Sequence, residues 1–317
     1  MKLAVTIDVE EEGLFRGRYE PGDAPVRNVS HLRRLHSIFS SLGIRPTLLV
    51  SYQVARHPDL RDLLLDLREA WHGEIGAHLH YWNTPPIQPL PHHADPVPSE
   101  WIPRPLLEAK LSTLLQSLRL MDVNPLSFRM GRFNIGANLI SLIEEKGFLA
   151  DSSIAPFRSY NGRLGGISSL TDPYFPDRVH PSRKGASRIL EAPITIEPVT
   201  GVLIHLLRRL QGVRHPMAAK LSLLAQRFFL LPAQPAWTGL KRLIAAARLH
   251  RIRGGRALTL FFHSSELMVG GSPVHRTEEE VRRFLLKLER FLSWLKDEEK
   301  AESVTLTELR GVYPRNP

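Results

Sequence analysis

Residues 3–10 read LAVTIDVE. The apolar and β-branched residues of this stretch predict a strand buried on both faces, the kind found in parallel sheets. The run ends in Asp8 and Glu10, which are two positions apart and therefore point to the same side of the strand. In α/β folds functional groups collect where the strands end, so these two carboxylates are candidates for a site.

Two later stretches have the same design. Residues 74–80 (EIGAHLH) end in His78 and His80, again two positions apart, and residues 257–263 (ALTLFFH) end in His263. Two imidazoles and one or two carboxylates that face one cavity can bind a divalent cation such as Zn²⁺. If these strands lie side by side in one parallel sheet, their polar ends meet at one rim, and the sequence predicts a catalytic centre there.

Strands and amphipathic helices alternate along the rest of the chain. We predict strands at 3–9, 45–51, 74–80, 126–130, 148–151, 188–196, 257–263 and 304–306, and helices at 30–42, 59–70, 106–121, 138–146 and 278–296. The proline-rich residues 83–105 predict a long loop. Seven or eight short strands in 317 residues fit a closed barrel better than an open sheet. The predicted fold class is therefore α/β, a distorted (β/α)7–8 barrel that forms one domain over residues 1–317.

The composition limits the chemistry of any metal site. The chain has no cysteine, which excludes disulfides, thiolate metal sites and a cysteine nucleophile. A bound metal would have to use His, Asp or Glu, a donor set that suits Zn²⁺ or another divalent cation. The apolar run before Asp8 is too short for a secretory signal, and no stretch is long and apolar enough for a membrane-spanning helix. We therefore expect a cytoplasmic protein.

Positive charge is concentrated in one segment. The formal net charge is +10, and residues 198–265 contain eleven Lys or Arg and no Asp or Glu, which leaves −1 for the rest of the chain. The mixture of aliphatic and basic residues predicts a helical insertion at about 200–255. Two interpretations stay open: helices that lie on an anionic surface, or a pair of helices that covers the barrel with a solvated basic face.

The partner of such a basic surface would differ between these interpretations. A surface-binding insertion would place the protein at the periphery of an anionic membrane, or on a lipid-linked sugar or acidic polysaccharide. No nucleic-acid-binding motif accompanies the charge, and basic charge alone is a weak signal, so we expect no nucleic-acid partner.

The order of the motifs resembles that of the polysaccharide deacetylases, the NodB-like barrels of carbohydrate esterase family 4. Residues 6–10 (TIDVE) resemble their first motif, Thr-Phe-Asp-Asp, and residues 74–78 (EIGAH) resemble the approach to the second, where the first histidine is a metal ligand. Residues 128–133 (FRMGRF) resemble the Arg-x-Pro-Tyr motif, and residues 147–153 (GFLADSS) a recurring Gly-Phe…Asp-Ser-Ser segment. Residues 261–266 (FFHSSE) resemble the last motif, which contains the catalytic histidine.

Three features depart from that family pattern. Val9 stands where the family has a second aspartate, and Trp82 stands where it has a second histidine, four residues after the first. The third motif lacks both Pro and Tyr. Glu10 and His80 are the candidates to replace the two missing ligands. Some barrels of this superfamily, similar to the allantoinase-type members, work without the standard metal triad.

The resemblance implies a metal-dependent hydrolase that removes N-acyl groups, chiefly acetyl, from a sugar of a polysaccharide or lipid-linked glycan. The roles that it implies are metal binding by Glu10, His78 and His80, proton transfer by Asp8 and His263, and substrate binding or orientation by Arg129 and Arg132. From its place beside the end of a strand, Trp82 either stacks on a sugar ring as a substrate-binding residue or belongs to the core. Asp8 and Glu10 could exchange roles. The metal would be Zn²⁺, with Co²⁺, Ni²⁺ or Mn²⁺ as alternatives.

Two other functions remain compatible with the sequence. One is a metal-free hydrolase of the same barrel, or one that acts on a non-sugar amide. The other is a non-catalytic protein that binds a glycan or another polyanion through the basic segment.

Overall fold

A computed structural model describes residues 1–88, 101–133, 135–157, 170–200 and 228–313. Its strands are β1 (Lys2–Val9), β2 (Thr47–Ser51), β3 (Glu74–Leu79), β4 (Ser127–Met130), β5 (Ala150–Asp151), β6 (Leu190–Glu191), β7 (Ile196–Pro198), β8 (Leu230–Pro232), β9 (Ala257–His263) and β10 (Glu302–Ser303). Eight of them form one parallel sheet in the order β9-β1-β2-β3-β4-β5-β6, with β10 beside the start of β1. β7 and β8 form a separate antiparallel pair.

Helices follow most of these strands, as the predicted alternation requires. They are α1 (His36–Leu42), α2 (Tyr52–Ala55), α3 (Arg61–Ala70), α4 (Arg104–Leu120), α5 (Ala137–Glu145), α6 (Leu240–Ile252), α7 (Glu278–Asp297) and α8 (Leu306–Val312). Short 3-10 helices occupy Leu14–Arg16, Arg27–Leu35, Pro58–Leu60, Gly131–Phe133 and Ser264–Leu267. No described helix is both long and apolar enough to cross a membrane.

The sheet curls into the predicted barrel. After β6 the chain turns toward β9, where the backbone N–H of Thr195 donates to the carbonyl of Thr259 at 3.1 Å. On the same side, the N–H of Phe261 donates to the carbonyl of Ala233 at 3.1 Å. The first hydrogen bond links the segment after β6 to β9 at the other end of the sheet, and the second links the segment after β8 to β9. A parallel sheet curled by its own twist and surrounded by helices is the α/β barrel class that the sequence predicts.

The register of the strands decides where their polar ends meet. Asp8 of β1 lies opposite His263 of β9, and His78 of β3 lies opposite both Ser51 of β2 and Arg129 of β4. All of these residues are at the carboxyl ends of their strands. One rim of the barrel therefore collects side chains that are up to about 250 positions apart in the chain.

Several predicted boundaries are wrong. The predicted strand at 304–306 is displaced: the pairing residues are Glu302–Ser303, and Thr305 instead caps α8 by accepting a hydrogen bond from the N–H of Glu308 at 3.3 Å. The predicted strand at 188–196 corresponds to two strands. β6 pairs with β5, and β7, which begins at Ile196, pairs with β8. The helix predicted at 30–42 begins as the 3-10 helix Arg27–Leu35.

The predicted basic insertion is described only in part. Residues 201–227 lie outside the described residues, as do residues 89–100 of the predicted proline-rich loop. Residues 230–232, inside the predicted helical insertion, instead form the strand β8. Residues 240–252 form α6, so this part of the insertion is helical as predicted.

Candidate active site

A cavity of about 410 Å³ opens at the carboxyl rim of the barrel. Seven of the eight predicted site residues line it: Asp8, Glu10, His78, His80, Trp82, Arg132 and His263. The eighth, Arg129, is fully buried and bonded to Asp8. Aromatic side chains form much of the remaining wall. Small-molecule sites of this size usually combine an apolar wall with a few converging polar groups, and this cavity has that character.

Glu10, His78 and His80 bring three donor atoms together. The Nε2 atoms of the two imidazoles are 2.9 Å apart, and the Oε2 atom of Glu10 is 3.2 Å from each. Donors bound to one tetrahedral cation at ordinary bond lengths lie about 3.3 Å apart. The three residues therefore present the separations that a single divalent cation requires.

The outer hydrogen bonds of the two imidazoles fix which nitrogen carries the proton. The Nδ1–H of His78 donates to the carbonyl of Arg129 at 3.0 Å, and the Nδ1–H of His80 donates to the carboxylate of Glu11 at 2.8 Å. In the neutral ring Nε2 then carries a lone pair. Two lone pairs facing each other at 2.9 Å need a proton or a cation between them, and an outer partner on Nδ1 is the usual setting of a metal-bound histidine.

The charges around these imidazoles are strongly coupled. Burial alone would raise the pKa of Glu10, but the positive charge of His263 and hydrogen bonds from His78 and His80 lower it far below its usual range. Burial likewise opposes a charge on His80, yet Glu11 and Glu10 raise its pKa to about 10. A centre with this affinity for positive charge holds protons or a divalent cation, and the two compete.

Asp8 is held by a buried arginine. Its Oδ1 accepts from Nη1 of Arg129 at 2.5 Å, while the rest of the guanidinium donates to Ser152 and to the hydroxyl of Thr6. The guanidinium carbon also lies 5.0 Å from the centre of the Phe261 ring. Because every side of Arg129 is occupied, the carboxylate of Asp8 has one orientation, with Oδ2 3.7 Å from Nε2 of His78.

His263 faces the metal donors from β9. Its Nε2 is 3.8 Å from Oε1 of Glu10, and its ring makes edge contacts with Phe15 and Phe261 at centroid distances of 4.9 and 4.6 Å. Glu266, whose carboxylate accepts the backbone N–H of His263 at 2.9 Å, lies 3.5 Å from Nδ1 of the same residue. Burial disfavours the imidazolium, but Glu10 and Glu266 raise the pKa of His263 to about 9.

Trp82 and Arg132 occupy different parts of the wall. Trp82 is only 6% exposed and stacks on His80 with ring centres 4.1 Å apart, so it holds the imidazole more than it offers a face to solvent. Nη1 of Arg132 donates to the hydroxyl of Tyr19 at 2.8 Å. Arg132 and Phe133 both have left-handed backbone conformations, with φ of 63° and 52°. Such conformations are costly for these residue types and concentrate at functional sites.

Glu11 is the residue that the sequence analysis missed. It is buried, and its carboxylate accepts hydrogen bonds from His80, from Asn83 at 2.6 Å and from the hydroxyl of Ser51 at 3.1 Å. Strict alternation would have turned Glu11 away from Glu10, but β1 ends at Val9 and the alternation ends with it. The run of three acids after the strand was the available signal.

Comparison with known proteins shows the fold. No model of a known protein family matches the chain, and no curated protein does. Among solved structures, one assigned as a polysaccharide deacetylase from Mycobacterium smegmatis is 16% identical with a TM-score of 0.55, covering 100% of this chain and 93% of its own. One assigned as a glycoside hydrolase/deacetylase from Parabacteroides distasonis is 12% identical with a TM-score of 0.60, covering 98% and 70%.

A third similar structure is 4-alpha-glucanotransferase from Thermococcus litoralis, 14% identical with a TM-score of 0.56, of which 41% is covered. The chain thus has the β/α barrel fold that its sequence predicts, the fold that it shares with these structures.

Proposed function

We propose that this chain is a metal-dependent hydrolase that removes the N-acyl group, chiefly acetyl, from a sugar of a polysaccharide or lipid-linked glycan. The observation that carries the proposal is the convergence of Glu10, His78 and His80 on one point, with Asp8 and His263 beside it in the same cavity. The description of two similar structures as deacetylases supports the substrate class.

Glu10, His78 and His80 are the residues that would hold the cation, and this donor set of two imidazoles and a carboxylate suits Zn²⁺, with Co²⁺, Ni²⁺ or Mn²⁺ as alternatives. Such a cation, when bound, acidifies water and polarises a carbonyl group. The geometry favours Glu10 as the ligand and Asp8 as the base, because Glu10 reaches both imidazoles while Asp8 is tied to Arg129.

Asp8 and His263 would divide the proton transfers. The free Oδ2 of Asp8 faces the metal donors and can accept a proton from an attacking water. The carboxylate of Glu266, 3.5 Å from Nδ1 of His263, favours the imidazolium form, which can donate a proton to the departing amine. The sugar nitrogen would then lie beside His263, and the sugar would contact the wall formed by Phe15, Tyr19 and Arg132.

The described part of the basic segment favours the barrel-covering interpretation. Arg242 donates to the carbonyls of Phe228 and Leu230, Arg251 and Arg253 pair with Glu299 and Glu197, and Arg248 lies 5.5 Å from the Trp294 ring centre. Arginines committed to contacts within the protein contribute less to binding an anionic membrane. Sedimentation with anionic vesicles at low salt, with and without residues 201–227, tests the surface-binding alternative.

The test joins metal content to acetate release. We expect about one divalent ion per purified chain, absent from a His78→Ala/His80→Ala double variant. Acetate release from N-acetylated chito-oligosaccharides should be lost in that variant and in His263→Ala. The control is His180→Ala, which removes an exposed imidazole that does not line the cavity.

The protein could instead bind no Zn²⁺, Co²⁺, Ni²⁺ or Mn²⁺ and yet hydrolyse other amides. That result would contradict the proposal and favour a metal-free hydrolase or one that acts on a non-sugar amide. Absence of any hydrolysis together with tight glycan binding would replace it with the binding protein.

A further inference from the structure

A second cavity, of about 730 Å³, adjoins the candidate active site. The segment that follows β1 lies between the two: Glu10 lines the first cavity, Glu11 lines the second, and Phe15 lines both. The volume falls within the range of small-molecule sites. The two cavities therefore lie on either side of this segment, with Phe15 as the residue common to both walls.

The second cavity is lined by four arginines and four carboxylates, and one of these arginines, Arg27, is paired with Glu12. Arg16, Arg18 and Arg276 line it with exposed side chains, and no described carboxylate forms an ion pair with any of them. Three of the four carboxylates that line the cavity are engaged: Glu11 by His80, Glu12 by Arg27 and Asp23 by Arg56. Glu20 is the fourth. Three exposed arginines without a described ion pair therefore remain beside Glu20, an arrangement that favours a ligand with negative charge.

Two buried polar atoms in the same wall have no hydrogen-bond partner among the described residues: Oδ1 of Asn83 and Oγ of Ser272. Both residues are nearly inaccessible, 3% and 4% exposed. The amide nitrogen of Asn83 donates to Glu11 at 2.6 Å, which identifies Oδ1 as the free acceptor. A buried polar atom without a partner destabilises the protein, so a polar ligand whose hydroxyl groups reached these atoms would be favoured.

We propose that the second cavity binds a sugar unit that carries a carboxylate or phosphate group. The arginines would bind the anionic group through charge-assisted hydrogen bonds, and Asn83 and Ser272 would bind sugar hydroxyls. The position of this unit along a glycan, next to the acylated sugar at the metal donors, rests on the proposed function. The inference narrows the substrate class to acidic glycans.

Titration calorimetry on the full chain tests the site without requiring turnover. The ligands are glucose 6-phosphate, glucuronic acid, neutral glucose and inorganic phosphate. We expect both acidic sugars to bind about tenfold more tightly than glucose, and an Arg16→Gln/Arg18→Gln variant to lose about that factor. The matched control is Arg282→Gln/Arg290→Gln, which removes the same charge from two exposed positions of α7 that line neither cavity.

Three results would overturn the inference. Acidic sugars could bind no better than glucose, or the double variant could bind as well as its control. Inorganic phosphate could bind as tightly as glucose 6-phosphate, which would make the ligand a free anion. Binding could also disappear in His263→Ala, which would place the ligand in the first cavity. If the inference is correct, His263→Ala binds the acidic sugars as tightly as the wild-type protein. The binding measurement therefore tests the second cavity even if the chain proves to have no deacetylase activity.

Discussion

At the scale of single residues, Asp8 and His263 differ in how much they contribute to the stability of the fold. Asp8 neutralises the fully buried Arg129, whereas the His263 side chain is 15% exposed and has no arginine that depends on it. Asp8→Ala should therefore abolish acetate release and also lower the free energy of unfolding by about 3–5 kcal/mol, because a buried charge is left without its partner.

His263→Ala should abolish acetate release with a much smaller loss of stability. Urea unfolding of both variants checks the contrast. Equal stability of the two would mean that the Asp8–Arg129 pair is not the buried ion pair described above. The contrast makes His263→Ala the cleaner probe of catalysis.

Glu11 allows a second prediction at this scale. Its carboxylate orients His80 from the side opposite the metal donors, and loss of such an outer partner typically weakens metal binding about 10–100-fold. We expect that loss in Glu11→Gln, measured by competition for Zn²⁺ with a chelating dye. Glu12→Gln is the matched control, since Glu12 pairs with the exposed Arg27 and forms no described hydrogen bond or ion pair with His78 or His80. Equal affinity in the two variants would contradict the role of Glu11.

At the scale of elements, the turn after β4 meets the end of β3. A Cβ atom added to Gly131 would lie 2.4 Å from Cδ2 of His80 and 3.1 Å from the carbonyl of Leu79. Gly131→Ala should therefore displace His80 and reduce metal retention, although Gly131 contributes no donor atom. Gly239→Ala is the control, because nothing lies within 4 Å of its added Cβ. Metal analysis after dialysis tests this, and normal retention in Gly131→Ala would contradict it.

The packing of α6 against β7 gives a prediction about pH. Burial opposes a charge on His250, but hydrogen bonds to Asp172 and Glu197 raise its pKa from 6.5 to about 9. The protonated form is thus favoured in the folded protein. The resulting stabilisation, at most about 3 kcal/mol, is complete below pH 6.5 and is lost as the pH rises through 9. His250→Gln should be less stable than wild type near pH 6, with a difference that narrows toward pH 10. A difference that does not change with pH would contradict this assignment.

The same scale shows why some elements could be predicted and others could not. The local sequence is enough to predict β1, β3 and β9, because each is a continuous apolar run that ends in polar residues. Five of the candidate site residues lie at or just after the ends of these strands. β7 depends on a partner: it leaves the barrel to pair with β8 more than thirty residues later, and no local pattern records that partner. The sequence analysis missed Glu11 for a related reason: the role of Glu11 depends on its hydrogen bond with His80, which is 69 positions away in the chain.

At the scale of the whole molecule, the metal donors and their supports tie together strands that are distant in the chain. Glu10 follows β1, His78 lies at the end of β3 with His80 just beyond it, and Arg129 of β4 supports both Asp8 and His78. A cation on these donors would bind the folded barrel and not the unfolded chain. Its binding free energy would then add to the stability of the barrel as a whole.

Chelation should therefore lower the melting temperature of the wild-type protein and leave a His78→Ala/His80→Ala variant unaffected. Adding Zn²⁺ back at a hundredfold excess over its Kd should restore about 2.7 kcal/mol, a shift of several degrees for a domain of this size. Calorimetry at fixed pH measures both shifts, with Mg²⁺ as the control cation, since it prefers oxygen donors. Equal shifts with Zn²⁺ and Mg²⁺, or equal shifts in the double variant, would place the stabilising cation elsewhere. A shift that is specific for Zn²⁺ and depends on the two histidines would link the rim chemistry to the stability of the barrel.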